Sequence, residues 1–150
     1  CNGCDLNGAY VLGADLTGAD LTNANFSNAE FPYADLTKAY LFEANFTNAY
    51  LFGADLTGAD LTNANLTNAD FTDVTFANSN LTNANLTGAN LLDANLTDAI
   101  LINSNLTNVN LTGVILINSN LTNADLTNAT IKDAIFCNTN TPWGVENSGC

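Results

Sequence analysis

Cysteine is the residue type whose placement in this chain most directly suggests chemistry. Cys1 and Cys4 form a C-x-x-C at one extreme, and Cys137 and Cys150 stand at the other. A C-x-x-C can serve thiol exchange or hold a metal. The chain has no histidine and no second C-x-x-C, so a tetrahedral zinc site lacks ligands within one chain. The remaining uses are a small disulfide loop or pairing with a neighbouring molecule. Four cysteines outside any free-thiol context point to an oxidising compartment. No serine, cysteine or carboxylate sits in a context that suggests activation by a base. The reading is a non-enzyme without cofactor or metal. Asn-x-Thr/Ser occurs at Asn25, Asn45, Asn65, Asn80, Asn85, Asn95, Asn105, Asn110, Asn120 and Asn128, and these are candidate sugar acceptors if the chain passes through a glycosylating secretory pathway.

Charge narrows the partners. The formal net charge is −13, with Lys38 and Lys132 the only cations. Phosphate backbones need a basic surface, so nucleic acid is excluded as a ligand. The acids are uneven, ten in residues 1–75 against five in residues 76–150. No apolar run approaches the ~18 residues of a membrane span, and no signal peptide is recognisable.

What must position all of this is a repeat. From Cys4 to Asn138 the chain runs as 27 five-residue frames of Ala, Asp/Asn, Leu/Phe, Thr, Asn/Gly, without insertion or deletion. In a helix, leucines five apart rotate by about 140° and form no stripe. In a flat strand, an odd spacing sends them to alternate faces. The solution left is a chain that turns a corner in every frame. Each short side points Ala and Leu inward, because they are two residues apart, and Asn or Gly occupies the corners. This is an all-β solenoid, one domain that buries its core coil on coil. Whether a coil has three or four sides stays open at this point. Residues 13–25 recur unchanged as 53–65, a shift of forty that favours four sides, but residues 100–108 recur as 115–123, a shift of fifteen that favours three.

The Ala-Asp/Asn-Leu-x-x frame resembles that of the pentapeptide repeat proteins over 135 of the 150 residues. The resemblance implies a right-handed quadrilateral β-helix of nearly seven coils, a rod about 30–35 Å long at a coil spacing of about 4.8 Å. Residues 1–3 then form a lead-in, 4–138 the β-helix, and 139–150 a capping tail. The tail is similar to the Phe-Cys-x-Thr…Pro-x-Gly…Gly-Cys ending of secreted or lumenal members in cyanobacteria. That likeness implies a Cys137–Cys150 disulfide and an extracellular, periplasmic or thylakoid-lumen location. Pro142 lets the tail fold back, and Trp143 is placed to plug the final coil. The two ends of such a rod lie too far apart for a bridge between the amino- and carboxy-terminal cysteine pairs within one chain.

With four frames per coil, residues twenty apart stack. Asn25 to Asn105 and Thr47 to Thr127 then form flat polar columns similar to ice-binding surfaces, and Asp15, Asp35 and Asp55 form a solvated acidic ladder. Apolar residues at outward positions mark candidate interfaces. Tyr10, Leu12, Tyr50, Phe52 and Leu92 share one side, Tyr40, Phe42, Ile100 and Ile102 another, and Ile115 and Ile117 lie on a third near the carboxy end. The expected function is a non-enzymatic, exported structural or interaction protein that binds protein, with end-to-end assembly of its own copies as the leading form. The alternatives are a DNA mimic that acts on type II topoisomerases, which the family resemblance implies, and ice binding.

Overall fold

The computed structural model describes residues 1–150 and contains no helix. Parallel bridges join each residue of the Asp/Asn column to the one twenty positions on, from Asp5↔Asn25 through Asn120↔Asn140. Four frames therefore close one coil. This decides the question that the internal duplications leave divided. We name the faces by their first bridge residue: the Asp5, Tyr10, Asp15 and Asp20 faces.

Every frame repeats one hydrogen-bond unit. Between coils, Leu56 N–H donates to the Thr75 carbonyl at 2.7 Å and Gly58 N–H to the Ala77 carbonyl at 2.9 Å, while Thr75 N–H returns to the Ala54 carbonyl at 3.1 Å. Within the frame, Ala59 N–H donates to the Leu56 carbonyl at 3.0 Å and closes a turn. The third residue of each turn has positive φ, the mark of type II geometry. That is the physical reason for Gly, Asn and Asp at the corners, since few other residues adopt the left-handed region at small cost. Three successive corners break the rule: Tyr33, Lys38 and Glu43 all hold φ 57°.

The inward columns fill the tube. Leu56, Leu61 and Leu66 are fully buried, as are the alanines two positions before them. Aromatic residues continue the packing along the axis, with Phe26 stacked on Phe46 at 4.5 Å and Phe46 edge-on to Phe71 at 6.4 Å. Ser79, Ser104 and Ser119 stand at inward alanine positions. Their hydroxyls donate to the carbonyls of Phe76, Leu101 and Leu116 at 2.7, 2.8 and 2.8 Å. A buried hydroxyl is tolerated when it is paired.

The tail departs from the frame. β1 (Thr139–Thr141) completes a side of the last coil, and β2 (Gly144–Glu146) pairs with it antiparallel across a Pro142-Trp143 turn. Asn140 bonds downward to Ser119 and Leu121, so β2 lies on the opposite, upper edge. The chain then runs back to Phe136, where Gly149 N–H donates to the Phe136 carbonyl at 2.6 Å. Half of the final coil is thereby covered. Trp143 does not plug it: strand alternation turns Thr139 and Thr141 inward and leaves Trp143 on the turn, 57% exposed. Cys137 is bonded to Cys150 and Cys1 to Cys4, with Cα separations of 5.0 and 5.5 Å. Both pairs close within the chain, so no thiol remains to lock one molecule to another.

Candidate interaction face

The outward columns have a structural task before they have any other. Where the bridge residue is Asp or Asn, from Asp5 to Asp125, its Oδ1 accepts the backbone N–H two residues later, as in Thr37 to Asp35 at 2.9 Å, Thr57 to Asp55 at 2.8 Å and Thr67 to Asn65 at 3.2 Å. In many frames the threonine hydroxyl donates to the same oxygen, at 2.6 Å for Thr62 to Asp60 and Thr67 to Asn65. The Asx-Leu-Thr pattern is thus a turn cap. These bonds hold the carboxyls of three aspartates below their usual 3.8. For Asp35 and Asp125 the leading cause is the threonine hydroxyl, Thr37 and Thr127 respectively, and for Asp20 it is the Thr22 backbone N–H.

A folded-state pKa below the unfolded one contributes stability that is present above the unfolded pKa and disappears as pH falls through the folded value. Thermal melts below pH 4 should therefore show stability declining with acid. Asp35→Asn keeps an accepting Oδ1, as the repeat itself does at Asn45. We expect an unchanged midpoint at pH 7 and a smaller loss than the parent between pH 4 and pH 2. Equal acid sensitivity of parent and variant contradicts the capping account.

The Asp5 face, with its columns of Asn and Thr, is a closed network. Thr47, Thr67, Thr87 and Thr127 donate their hydroxyls to Asn45, Asn65, Asn85 and Asp125 of their own frames. Asn65 and Asn85 amides reach down to Thr47 and Thr67 at 2.9 and 3.1 Å. The hydroxyl protons of these threonines are already spent on the chain, which lessens the likeness to an ice-binding lattice. The same geometry sorts the sugar-acceptor candidates. The amide nitrogens of Asn25, Asn45, Asn65, Asn80, Asn85, Asn110 and Asn128 donate to the preceding coil, so a sugar there breaks a coil-to-coil bond. Asn95, Asn105 and Asn120 carry none of these inter-coil amide bonds.

The frames that lack the cap are the informative ones. Tyr10 precedes Leu12, Tyr40 precedes Phe42, Tyr50 precedes Phe52, Ile100 precedes Ile102 and Ile115 precedes Ile117. In each, the side-chain acceptor of the cap and the threonine hydroxyl that would share it are replaced together, and the backbone N–H of the second residue is left uncapped. Glu30 precedes Pro32, which has no N–H to be capped. Leu92 differs, since its N–H is still capped by Asn90 at 3.3 Å, and it does not belong with the apolar pairs. On the Tyr10 face three uncapped frames are consecutive, because Tyr10, Glu30 and Tyr50 are bridged in one column, and Thr130 at the far end of that column is uncapped as well. Tyr40 and Phe42 lie on the Asp20 face, separated from Ile100 and Ile102 by the capped frames of Asp60 and Asn80. Ile115 and Ile117 belong to the Asp15 face.

One member of this face lies outside the outward columns. Tyr33 occupies the corner beside it, 59% exposed. Its ring lies along the axis over Gly53, where an added Cβ would come within 2.8 Å of the ring carbons. It packs edge-on against Phe52 at 5.4 Å, and Tyr50 stacks on Phe52 at 6.3 Å. Pro32, at an outward position, is buried. The result is an aromatic layer on one face of the first coils.

The comparisons agree with this architecture. The family profile described as pentapeptide repeats matches residues 1–37, 19–58 and 31–68, and the one described as a pentapeptide repeat region matches residues 53–126. No curated protein matches the chain. Among solved structures it is similar to the pentapeptide repeat protein Rfr23 of the cyanobacterium Cyanothece 51142, with 28% identity, TM-score 0.54, and coverage of 89% of this chain and 84% of that one. It is similar to QnrB1, a plasmid-mediated fluoroquinolone resistance protein, with 19% identity, TM-score 0.61, and coverage of 99% and 81%. It is also similar to a pentapeptide repeat protein of the Arabidopsis thaliana thylakoid lumen, with 34% identity, TM-score 0.38, and coverage of 75% and 68%. From its repeat, its twenty-residue bridge spacing and the matched profiles, the chain belongs to the pentapeptide repeat proteins.

Proposed function

We propose that the protein is a non-enzymatic structural and interaction rod of an oxidising compartment, and that it pairs with other molecules, its own copies first, through coil edges. Two closed disulfides and the absence of free thiols support the compartment. The observation that carries the pairing is the half of the final coil that the tail leaves uncovered. There the N–H groups of Leu126, Asn128, Ile131 and Asp133 and the carbonyls of Ala124 and Ala129 have no partner in the chain. Ile131 beside them is 43% exposed.

The first coil has the complementary set. The carbonyls of Asp5, Asn7, Tyr10 and Leu12 and the N–H groups of Asp5 and Tyr10 are likewise without partners, and Val11 is 40% exposed. Leu126 against Asp5 of a second copy reproduces the rung that Leu6 makes with Asn25 at 2.7 Å, and Asn128 against Asn7 the rung of Gly8 with Ser27 at 2.9 Å. Strand edges of this kind are templates for further pairing. The tail hairpin occupies the other half of the upper edge, so the joint uses two faces and not four.

Sedimentation under oxidising conditions over a wide concentration range tests the pairing. Concentration-dependent dimers and short rods are expected, and Ile131→Lys should shift them to monomer. A parent protein that stays monomeric at the highest concentration removes the proposal. Mimicry of DNA toward type II topoisomerases is disfavoured by the uneven charge, since ten of the fifteen acids lie in residues 1–75 and five in residues 76–150. A supercoiling assay unaffected by the protein is the expected result.

A further inference from the structure

We propose that the aromatic layer on the Tyr10 face is a docking site for a cationic segment of a partner polypeptide, one rich in arginine or lysine. This goes beyond the pairing of coil edges and uses side chains that the edges do not. Three consecutive frames of this face have abandoned the bond that caps turns elsewhere on the rod. The loss falls on Tyr10 with Leu12, on Glu30 and on Tyr50 with Phe52. At the adjoining corner Tyr33 holds φ 57°, a conformation the repeat otherwise assigns to Gly, Asn or Asp apart from Lys38 and Glu43. Residues that work against the local rules of their own fold are the ones to suspect of a task outside folding.

The chemistry of the occupant follows from charge. The exposed rings are tyrosines, whose faces attract cations. Between Tyr10 and Tyr50 lies Glu30, whose carboxylate accepts no hydrogen bond from its own frame, since Pro32 offers none. Asp70 follows Tyr50 in the same column, and Asp35 and Asp55 lie on the next face beyond Tyr33. None of these carboxylates is in an ion pair, because the protein's one salt bridge joins Lys132 to Asp133 near the other end. A surface of tyrosine rings ringed by uncompensated carboxylates complements guanidinium or ammonium groups, whereas an acidic partner is repelled.

The test uses variants that restore the repeat's own frame and leave the net charge at −13. Tyr10→Asn with Leu12→Thr and Tyr50→Asn with Phe52→Thr rebuild two capped frames, and Tyr33→Asn places at the corner a residue suited to its φ. The probe is a fluorescein-labelled nona-arginine peptide, followed by anisotropy at physiological salt. The five-fold variant should bind about tenfold more weakly than the parent, and Glu30→Gln about threefold. Asp125→Asn with Glu146→Gln, which removes charge in the last coil and the tail, should change affinity by less than about twofold. If the five-fold variant fails to melt cooperatively, Tyr33→Asn alone carries the test, with an expected loss of about threefold. Unchanged affinity in the aromatic variants shows that the peptide is held by net charge alone and overturns the proposal. Tyrosine-dependent binding of a neutral oligosaccharide, or a parent dimer that the variants dissolve, overturns it in favour of a sugar or a second copy.

Discussion

Ala64→Asp should unfold the middle of the rod, whereas Ala64→Ser should leave it nearly unchanged. Ala64 is 1% exposed and faces a tube lined by alanine, leucine and phenylalanine. Serine at the equivalent inward position is already present at Ser79, where its hydroxyl reaches the carbonyl three residues back at 2.7 Å. Aspartate has no such option. Its second oxygen and its charge meet only hydrocarbon, and a buried unpaired carboxylate costs several kcal/mol even when it neutralises itself by taking up a proton. Added volume in a filled tube costs about 1–3 kcal/mol more. In a stack where each coil relies on its neighbours, that local loss divides the rod into two shorter arrays. Urea titration should therefore show a lower midpoint and a broadened or two-step transition for Ala64→Asp. For Ala64→Ser a shift below about 1 kcal/mol is expected.

Excising residues 61–80 should be tolerated, and deleting Asn63 alone should not. Removal of twenty residues joins Asp60 to Leu81 and preserves the bridge spacing of every remaining pair. Coils on either side then meet with donors and acceptors in register. Deleting Asn63 removes a corner that holds φ 60° and the rung from its N–H to the Thr82 carbonyl at 3.0 Å. The chain must either lose that corner or slip by one residue, which turns an outward side chain inward and an inward leucine to water. Exposing one core leucine alone costs about 1.5–3 kcal/mol. Far-ultraviolet spectra and melting curves separate the two outcomes. The excised protein should melt cooperatively within a few degrees of the parent, and the single deletion should melt far lower or not fold. If both behave alike, the twenty-residue coil is not the structural unit.

The period of five made the inside of this protein legible before its outside. Two residues between Ala and Leu and a corner every fifth position determine which side chains are buried, and Leu56, Leu61 and Leu66 lie in the core accordingly. The number of sides was not legible, because the internal duplications at shifts of forty and fifteen reflect copying of frames and not stacking of coils. What decides it is hydrogen bonding between residues twenty apart. The turn cap could have been read from the sequence, since Asp or Asn followed two residues later by Thr recurs through most frames. The acidic column is the solvated ladder that the spacing implies, and each of its carboxylates is in addition tied to its own turn.

The candidate face was half legible. Tyr10, Leu12, Tyr50 and Phe52 stand out as apolar residues in outward columns. Tyr33 escaped notice because it sits at a corner, a position where only glycine and small amides are expected, and its reach over Gly53 depends on ring orientation. Pro32 explains Glu30, and neither is informative until the cap they lack is recognised. Trp143 illustrates the opposite error. A large ring next to an open core invites the role of a plug, but the alternation of β1 gives the inward places to Thr139 and Thr141.

The account rests most directly on the closing of each coil after four frames, since faces, columns and the aromatic layer all follow from it. Paired cysteines placed on the surface measure that closure, with the native disulfides intact and a short bifunctional thiol reagent as the ruler. Asn65→Cys with Asn85→Cys places the thiols on bridged residues one coil apart. Asn65→Cys with Asn80→Cys places them on different faces of a four-sided coil, but directly above one another in a three-sided one. Rapid crosslinking of the first pair and none of the second is the predicted result. Crosslinking of the second pair in preference to the first contradicts it.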